Sequence, residues 1–266
     1  MSFRLAALAF AAAFSLAAPA LAASCGNSAS GFAAWKQQFA QEAAQAGVGQ
    51  RGLSALANTQ YAQATIAADR GQKSFKLSYD QFCQKRGCDV IVSQGRKRKA
   101  QNPAFYQSLE SRYGVPAGLI IAIHGMETGF GNFMGNSNVL NATATLAYDC
   151  RRPQFFQPHL VSALVMIDRG MISPGAVGAK HGELGHTQFL PGNALRFGQD
   201  GNGDGRIDFN NMSDALASTA NYLRMKGWAP GQPYQPGTRN YNVLKEWNAA
   251  SVYQQALASM GARIDG

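Results

Sequence analysis

The chain has 266 residues, of which 46% are hydrophobic, 15% charged and 10% aromatic. That is enough apolar material for one sizeable core or two small ones, and it excludes a disordered or low-complexity protein. The formal net charge of +9 directs the protein toward anionic surfaces, such as polymers bearing carboxylates or the outer face of a lipid membrane.

Residues 1–22 read as a secretory signal: Arg4 supplies the positive start, residues 5–18 are apolar, and Ala20 and Ala22 offer the small residues a signal peptidase reads. Arg4 is the one charge in that segment, so the remainder carries +8. Ala22-Ala23-Ser24 before Cys25 lacks the large aliphatic residue of a lipobox, which favours a soluble exported protein over a lipid-anchored one. No later apolar run is long enough to span a bilayer. In an oxidising compartment Cys25, Cys83, Cys88 and Cys150 form an even set. Cys83 and Cys88 would close a short loop, which leaves Cys25 to tie the mature N-terminus to Cys150. Free thiols or zinc are the alternatives, but zinc usually wants a tighter CxxC pair or added histidines. The basic run Arg96-Lys97-Arg98-Lys99 reads as a solvated helix face, since export removes nucleic acid as its partner.

Helical periodicity dominates the rest. Phe32, Trp35, Phe39 and Ala43 define an amphipathic first helix. Pro103 and Pro116 are expected just inside the starts of two more. Residues 158–169 should form another, stopped by Gly170. A helix over 213–226 is expected with Ser213 as its cap and Gly227 as its stop, and a last one over 242–260. Residues 128–138 and 174–208 are glycine-rich and read as irregular, the kind of segment on which sites are built. An N-terminal helical region over 23–105 would then precede a core over 106–266.

Residues 116–127 are apolar nearly all round, as in a buried helix, and they end on Glu127. Burial disfavours the charged form and prepares a carboxyl group to act as a general acid. Residue type alone leaves a second reading open, a glutamate paired with a buried arginine. Downstream, Gly182-Glu-Leu-Gly185-His-Thr-Gln188-Phe-Leu-Pro191 combines glycines that permit close approach of backbone with an amide suited to sugar groups.

Together these segments resemble the membrane-bound lytic transglycosylase B family. Gly114-Val-Pro-Ala-Gly-Leu-Ile-Ile-Ala-Ile-His-Gly-Met-Glu-Thr-Gly-Phe-Gly131 looks like its catalytic segment, and 182–191 is similar to its GxxGxxQFxP motif. Ala220-Asn-Tyr222 with Lys226-Gly-Trp228, then Trp247-Asn248 through Tyr253, follow in the family's order. The resemblance implies a mainly α, lysozyme-like helical core with long glycine-rich site loops. It also implies a soluble, periplasmic monomer acting on peptidoglycan glycan strands, with no cofactor in the chemistry. Glu127 would protonate the bond from N-acetylmuramic acid to N-acetylglucosamine, then take the proton of the C6 hydroxyl that attacks C1, leaving a 1,6-anhydro end. Gln188 and Asn248 would contact substrate, Tyr222 and Tyr253 would shape the groove, and Phe130 and Trp247 would offer stacking faces. No second catalytic carboxylate stands out. Two departures are visible: Ala179 stands where the family often has serine, and only residues 229–239 fill the place of a larger insertion, so a small β subdomain should be absent.

Asp200, Asn202 and Asp204, with Asp208, stand at positions 1, 3, 5 and 9 of an EF-hand-like spacing, with glycine at 6 and the Arg206 carbonyl at 7. Asn211 replaces the bidentate glutamate of position 12, and by the resemblance Asp214 is the late ligand of an extended loop over 200–214. A structural calcium ion is expected there. His181-Gly-Glu183-Leu-Gly-His186 has the wrong histidine spacing for a helical zinc motif. Two other readings are a water-using muramidase and a noncatalytic wall-binding module.

Overall fold

The computed structural model describes residues 23–71 and 77–266 of the protein; the expected export signal, residues 1–22, lies outside them. The described residues form thirteen α-helices and one small antiparallel ladder, in keeping with the mainly α class.

The first three helices, α1 (Phe32–Gln45), α2 (Gln50–Ala57) and α3 (Gln63–Gly71), belong to one apolar cluster. Phe32, Trp35, Phe39 and Ala43 are all buried, as their spacing requires. They pack with α8 (Val139–Tyr148) and α9 (Pro153–Asp168). Asp168 at the end of α9 accepts the backbone N–H of Gly52 at 2.7 Å, satisfying one of the free donors in the first turn of α2.

The second cluster is built around α7 (Ala117–Thr128), in which every residue but Glu127 is buried. The same cluster takes in α4 (Tyr79–Arg86), α5 (Cys88–Gln101), α6 (Pro103–Tyr113), α10 (Pro191–Phe197), α11 (Met212–Met225), α12 (Arg239–Trp247) and α13 (Ser251–Asp265). Across the sequence position 105/106, α5 packs with α7 and α13, and α4 packs with α5 and α13. Disulfides join Cys25 to Cys150 and Cys83 to Cys88, the first across the start of the chain and the end of α8, the second across the α4–α5 turn. No helix among the described residues is long and apolar enough to cross a membrane.

Several helix ends differ from expectation for local reasons. Pro116 caps α7 from outside, and α9 starts at Pro153, so Pro158 lies within it. Asn211, not Ser213, caps α11, because its Oδ1 accepts the Ser213 N–H at 2.8 Å. Part of the expected irregular stretch, from Pro191, is α10. The expected last helix is two helices. Asn248 interrupts it: its Oδ1 accepts the Ala250 N–H at 3.0 Å, an Asx-type turn that offers the backbone an alternative to the helix ladder. β1 (Ser137–Asn138) pairs with β2 (Val177–Gly178) and ties the loop after α7 to the loop before α10. Residues 229–238 form turns, with no sheet of their own.

Candidate active site

Glu127 occupies the last turn of α7, where a helix buried on all sides reaches the surface of a cleft. The cleft is about 220 Å³ and is lined by Glu127, Glu183, Gln188, Phe189, Leu190, Asn193, Tyr222, Trp247 and Asn248. The break at Asn248 assembles it: α12 delivers Trp247 and α13 delivers Tyr253 to the same carboxylate. Trp247 Nε1 donates to Glu127 Oε1 at 3.1 Å, and the Tyr253 hydroxyl donates to that same oxygen.

Burial pushes the Glu127 carboxyl above its ordinary range, and the charge of Glu183 pushes the same way. The Tyr253 and Trp247 hydrogen bonds and the Arg86 guanidinium pull against burial without reversing it. Arg86 does not form the ion pair that a structural glutamate would need: its guanidinium bonds instead to the Met126 carbonyl and, at 3.2 Å, to the Met126 sulfur. Among the described residues Glu127 has no salt bridge. The ion pair of the alternative reading is therefore not formed among the described residues.

The remaining expected contacts divide. Gln188 lines the cleft, held by its Nε2 donating to Gly185 O at 2.8 Å and Met134 O at 3.3 Å. Its φ of 56° is a strained conformation for a non-glycine residue, a kind found at functional sites. Gly185 beside it has φ 63°, and a Cβ there would stand 1.9 Å from Phe209 O, so only glycine fits. Asn248 and Trp247 line the cleft as expected. Tyr222 also lines it, with its hydroxyl donating to Glu246 O at 2.5 Å; burial, with the Glu246 charge, pushes that hydroxyl up to about 12. Tyr253 is buried beneath Glu127 and acts on the carboxylate rather than on the groove wall.

One residue lies elsewhere than expected. Phe130 is not among the residues that line the cleft with Glu127. Its backbone turns back at φ 65°, and its ring packs edge-on to His124 with the Arg98 guanidinium 4.4 Å from its centroid. Trp247 is fixed by its indole hydrogen bond and by edge contacts with Phe189 and Tyr222, so it holds the acid as well as facing the cleft.

The expected calcium ligands are also arranged differently. Asp200, Asn202 and Asp204 accept loop N–H groups: Gly205 N to Asp200 at 2.8 Å, Asp204 N to Asn202 at 2.9 Å, and Arg206 N to Asp204 at 2.8 Å. Asp214 is fully buried, and its two oxygens accept Gly201 N and Asp208 N, each at 2.9 Å. Both oxygens of the late ligand are thus committed to backbone, and the described residues contain no group of three or more acidic, histidine or cysteine side chains placed to hold a metal. These side chains are engaged with the loop's own backbone, and they form no ready-made cation cage among the described residues.

Sequence reasoning missed Glu183, which lies in the cleft with Glu127. The signal was a charged residue between the two glycines of the 182–185 turn, where close backbone approach was already expected.

Residues 31–238 match the transglycosylase SLT domain family, and the chain belongs to it. Over 121 residues, 45% of the chain, it is 36% identical to membrane-bound lytic murein transglycosylase B of Escherichia coli K12; the match spans about a third (34%) of that relative's length. SltB3 of Pseudomonas aeruginosa, solved in complex with NAG-anhNAM-pentapeptide, superposes with a TM-score of 0.79 at 28% identity, covering 88% of this chain and 80% of that one. The Escherichia coli lytic transglycosylase Slt35 in complex with calcium superposes at 0.74 and 21% identity, covering 86% and 92%, a likeness of fold. The helical core is accordingly the lysozyme-like one.

Proposed function

We propose that the protein is a peptidoglycan lytic transglycosylase in which Glu127 acts first as acid and then as base. The observation that carries this is a single carboxyl group biased toward its protonated form by burial, lining an open cleft, with two donors fixed on one of its oxygens. Glu127 gives its proton to the glycosidic oxygen as the bond from C1 of N-acetylmuramic acid breaks. Positive charge develops at C1. The carboxylate left behind is stabilised by the Tyr253 hydroxyl and the Trp247 indole, both of which favour the anion. It then takes the proton of the same sugar's C6 hydroxyl while that oxygen bonds to C1. The anhydro ring closes, Glu127 regains its proton, and no water is consumed. Most glycosidases instead use two carboxylates.

On this reading residues 1–22 are an export signal and the substrate lies in the periplasm, where two disulfides persist. The excess of basic residues draws the enzyme to the anionic wall. Support for the substrate comes from the family match and from the muropeptide ligand of the SltB3 structure.

Digestion of purified peptidoglycan, read by mass spectrometry of the released muropeptides, tests the proposal. Wild type should yield anhydro ends, and Glu127→Gln should lose at least about 10²-fold in rate, the usual contribution of general acid–base catalysis. Reducing ends in place of anhydro ends, or an active Glu127→Gln, would sink it.

A further inference from the structure

The reaction proposed above uses one carboxylate, yet Glu183 lines the same cleft. Its placement is built rather than incidental. Ala179 N–H bonds to Glu183 O at 2.9 Å and Gly182 N–H to Ala179 O at 3.1 Å, closing a turn that presents the side chain. Gly182 is confined there at φ 86°, and a Cβ would stand 2.2 Å from Thr143 Oγ1. One Glu183 oxygen accepts the His181 backbone N–H at 2.9 Å, and the other faces His181 Nδ1 at 3.2 Å. His181 Nε2 lies 3.9 Å from Asp69 Oδ1. Asp69, buried on α3, is gripped in turn by Arg151 and Arg152. A chain of alternating charge thus runs from two arginines, through a carboxylate and an imidazole, to a second carboxylate at the cleft.

We propose that Glu183 is a second working carboxylate of this site, a positioning residue that sets the charge around Glu127 and is itself set by His181 and Asp69. The proposal rests on reading Glu127 as the acid. A glutamate serving only to fold the loop would need a partner but no opening to the cleft, whereas 21% of this side chain remains exposed. Its negative charge favours the proton on Glu127 before reaction, and it favours the positive charge that develops at C1 when the bond breaks.

The charged and titratable groups around the pair fix the direction of each effect. Glu127 meets the Tyr253 hydroxyl, the Trp247 indole and the field of Arg86, besides Glu183. Glu183 meets His181, with Asp69 and Arg152 behind it. Burial alone would lower His181, but Glu183, through its hydrogen bond and charge, and Asp69 hold it above its ordinary value. A protonated His181 offsets part of the Glu183 charge. Removing Glu183 and removing His181 should therefore act on Glu127 in opposite directions.

The experiment is the pH profile of kcat/KM for muropeptide release by wild type, Glu183→Gln, Glu183→Asp, His181→Gln and Glu127→Gln. The basic limb, where Glu127 loses its proton, should move to lower pH in Glu183→Gln and to higher pH in His181→Gln. Glu183→Asp, which keeps the charge, should restore the wild-type limb. At neutral pH Glu183→Gln should lose about tenfold in kcat, with KM within about twofold. Limbs that stay in place, or that move the same way in both variants, overturn the proposal. If Glu183→Gln fails to fold, by its melting curve, the contrast between His181→Gln and Glu183→Asp still reads the sign. An active Glu127→Gln would refute the transglycosylase mechanism itself. An inactive Glu127→Gln beside unmoved limbs in the other variants would refute only the role of Glu183.

Discussion

Removal of the Tyr253 hydroxyl tests how the site manages its one acid. Tyr253 and Trp247 both donate to Glu127 Oε1, and both hydrogen bonds favour the carboxylate over the acid. Tyr253→Phe keeps the ring, including its edge contact with Phe82 at 6.4 Å between centroids, so packing is conserved while the donor is lost. A hydrogen bond to a charged group is worth ~1.5–3 kcal/mol net. At about 1.4 kcal/mol per pH unit, the basic limb of the rate profile should rise by at least about one pH unit. In the plateau below the limb, kcat should fall by about tenfold or more, because the carboxylate formed when the bond breaks has lost a donor. The indole bond, neutral and 3.1 Å long, remains, so Trp247→Phe should displace the limb in the same direction by less. Initial rates of soluble muropeptide release between pH 4.5 and 9, with melting curves for each variant, measure all three quantities. A limb that stays put or falls in Tyr253→Phe would refute the assignment of Tyr253 as a donor that stabilises ionised Glu127.

Two further predictions concern stability. His124 is buried, its Nε2 lies 2.9 Å from His186 Nδ1, and burial, aided by His186 and Arg98, lowers its pKa from 6.5 to about 3. Below pH 6.5 the unfolded chain takes up a proton that the folded protein refuses, so stability falls with pH until about pH 3. Between pH 7.5 and 5 this group should cost about 2 kcal/mol in urea unfolding. His124→Gln should lose that much less over the same interval, and an equal loss in both proteins would contradict the assignment. For residues 200–214, 1 mM calcium should raise the melting temperature by no more than about 2 °C. A site lacking the bidentate glutamate, with a Kd of roughly 1 mM, contributes only ~0.4 kcal/mol at that concentration. A rise above about 5 °C would show a tight site that the Asp214 geometry does not provide.

The helical class, the burial of α1 and the approach of Glu127 to a surface were all legible in the sequence, because each depends on periodicity within one segment. Helix ends were less legible. Asn211 and Ser213 are both good caps, and which one is used depends on where the preceding loop arrives. The last helix read as continuous because Asn248 is tolerated inside a helix; its Asx turn breaks the helix there, and Trp247 and Tyr253 on either side of the break both reach Glu127.

By itself the sequence determined that a carboxyl group would end a wholly apolar helix, that a glycine-framed turn with Gln188 would follow, and that four cysteines could pair. Only the tertiary structure decided what surrounds the acid. It packed Phe130 beneath Arg98, engaged Asp214 with backbone donors, and brought Glu183 to the cleft with His181 and Asp69 behind it. The reason is physical. Residue spacing shows which face of an element must be covered, but which side chain covers it depends on elements tens of residues away. Asp69 and His181, 112 positions apart, meet only because α3 packs on α8, and the 182 turn lies against Thr143 of that same helix.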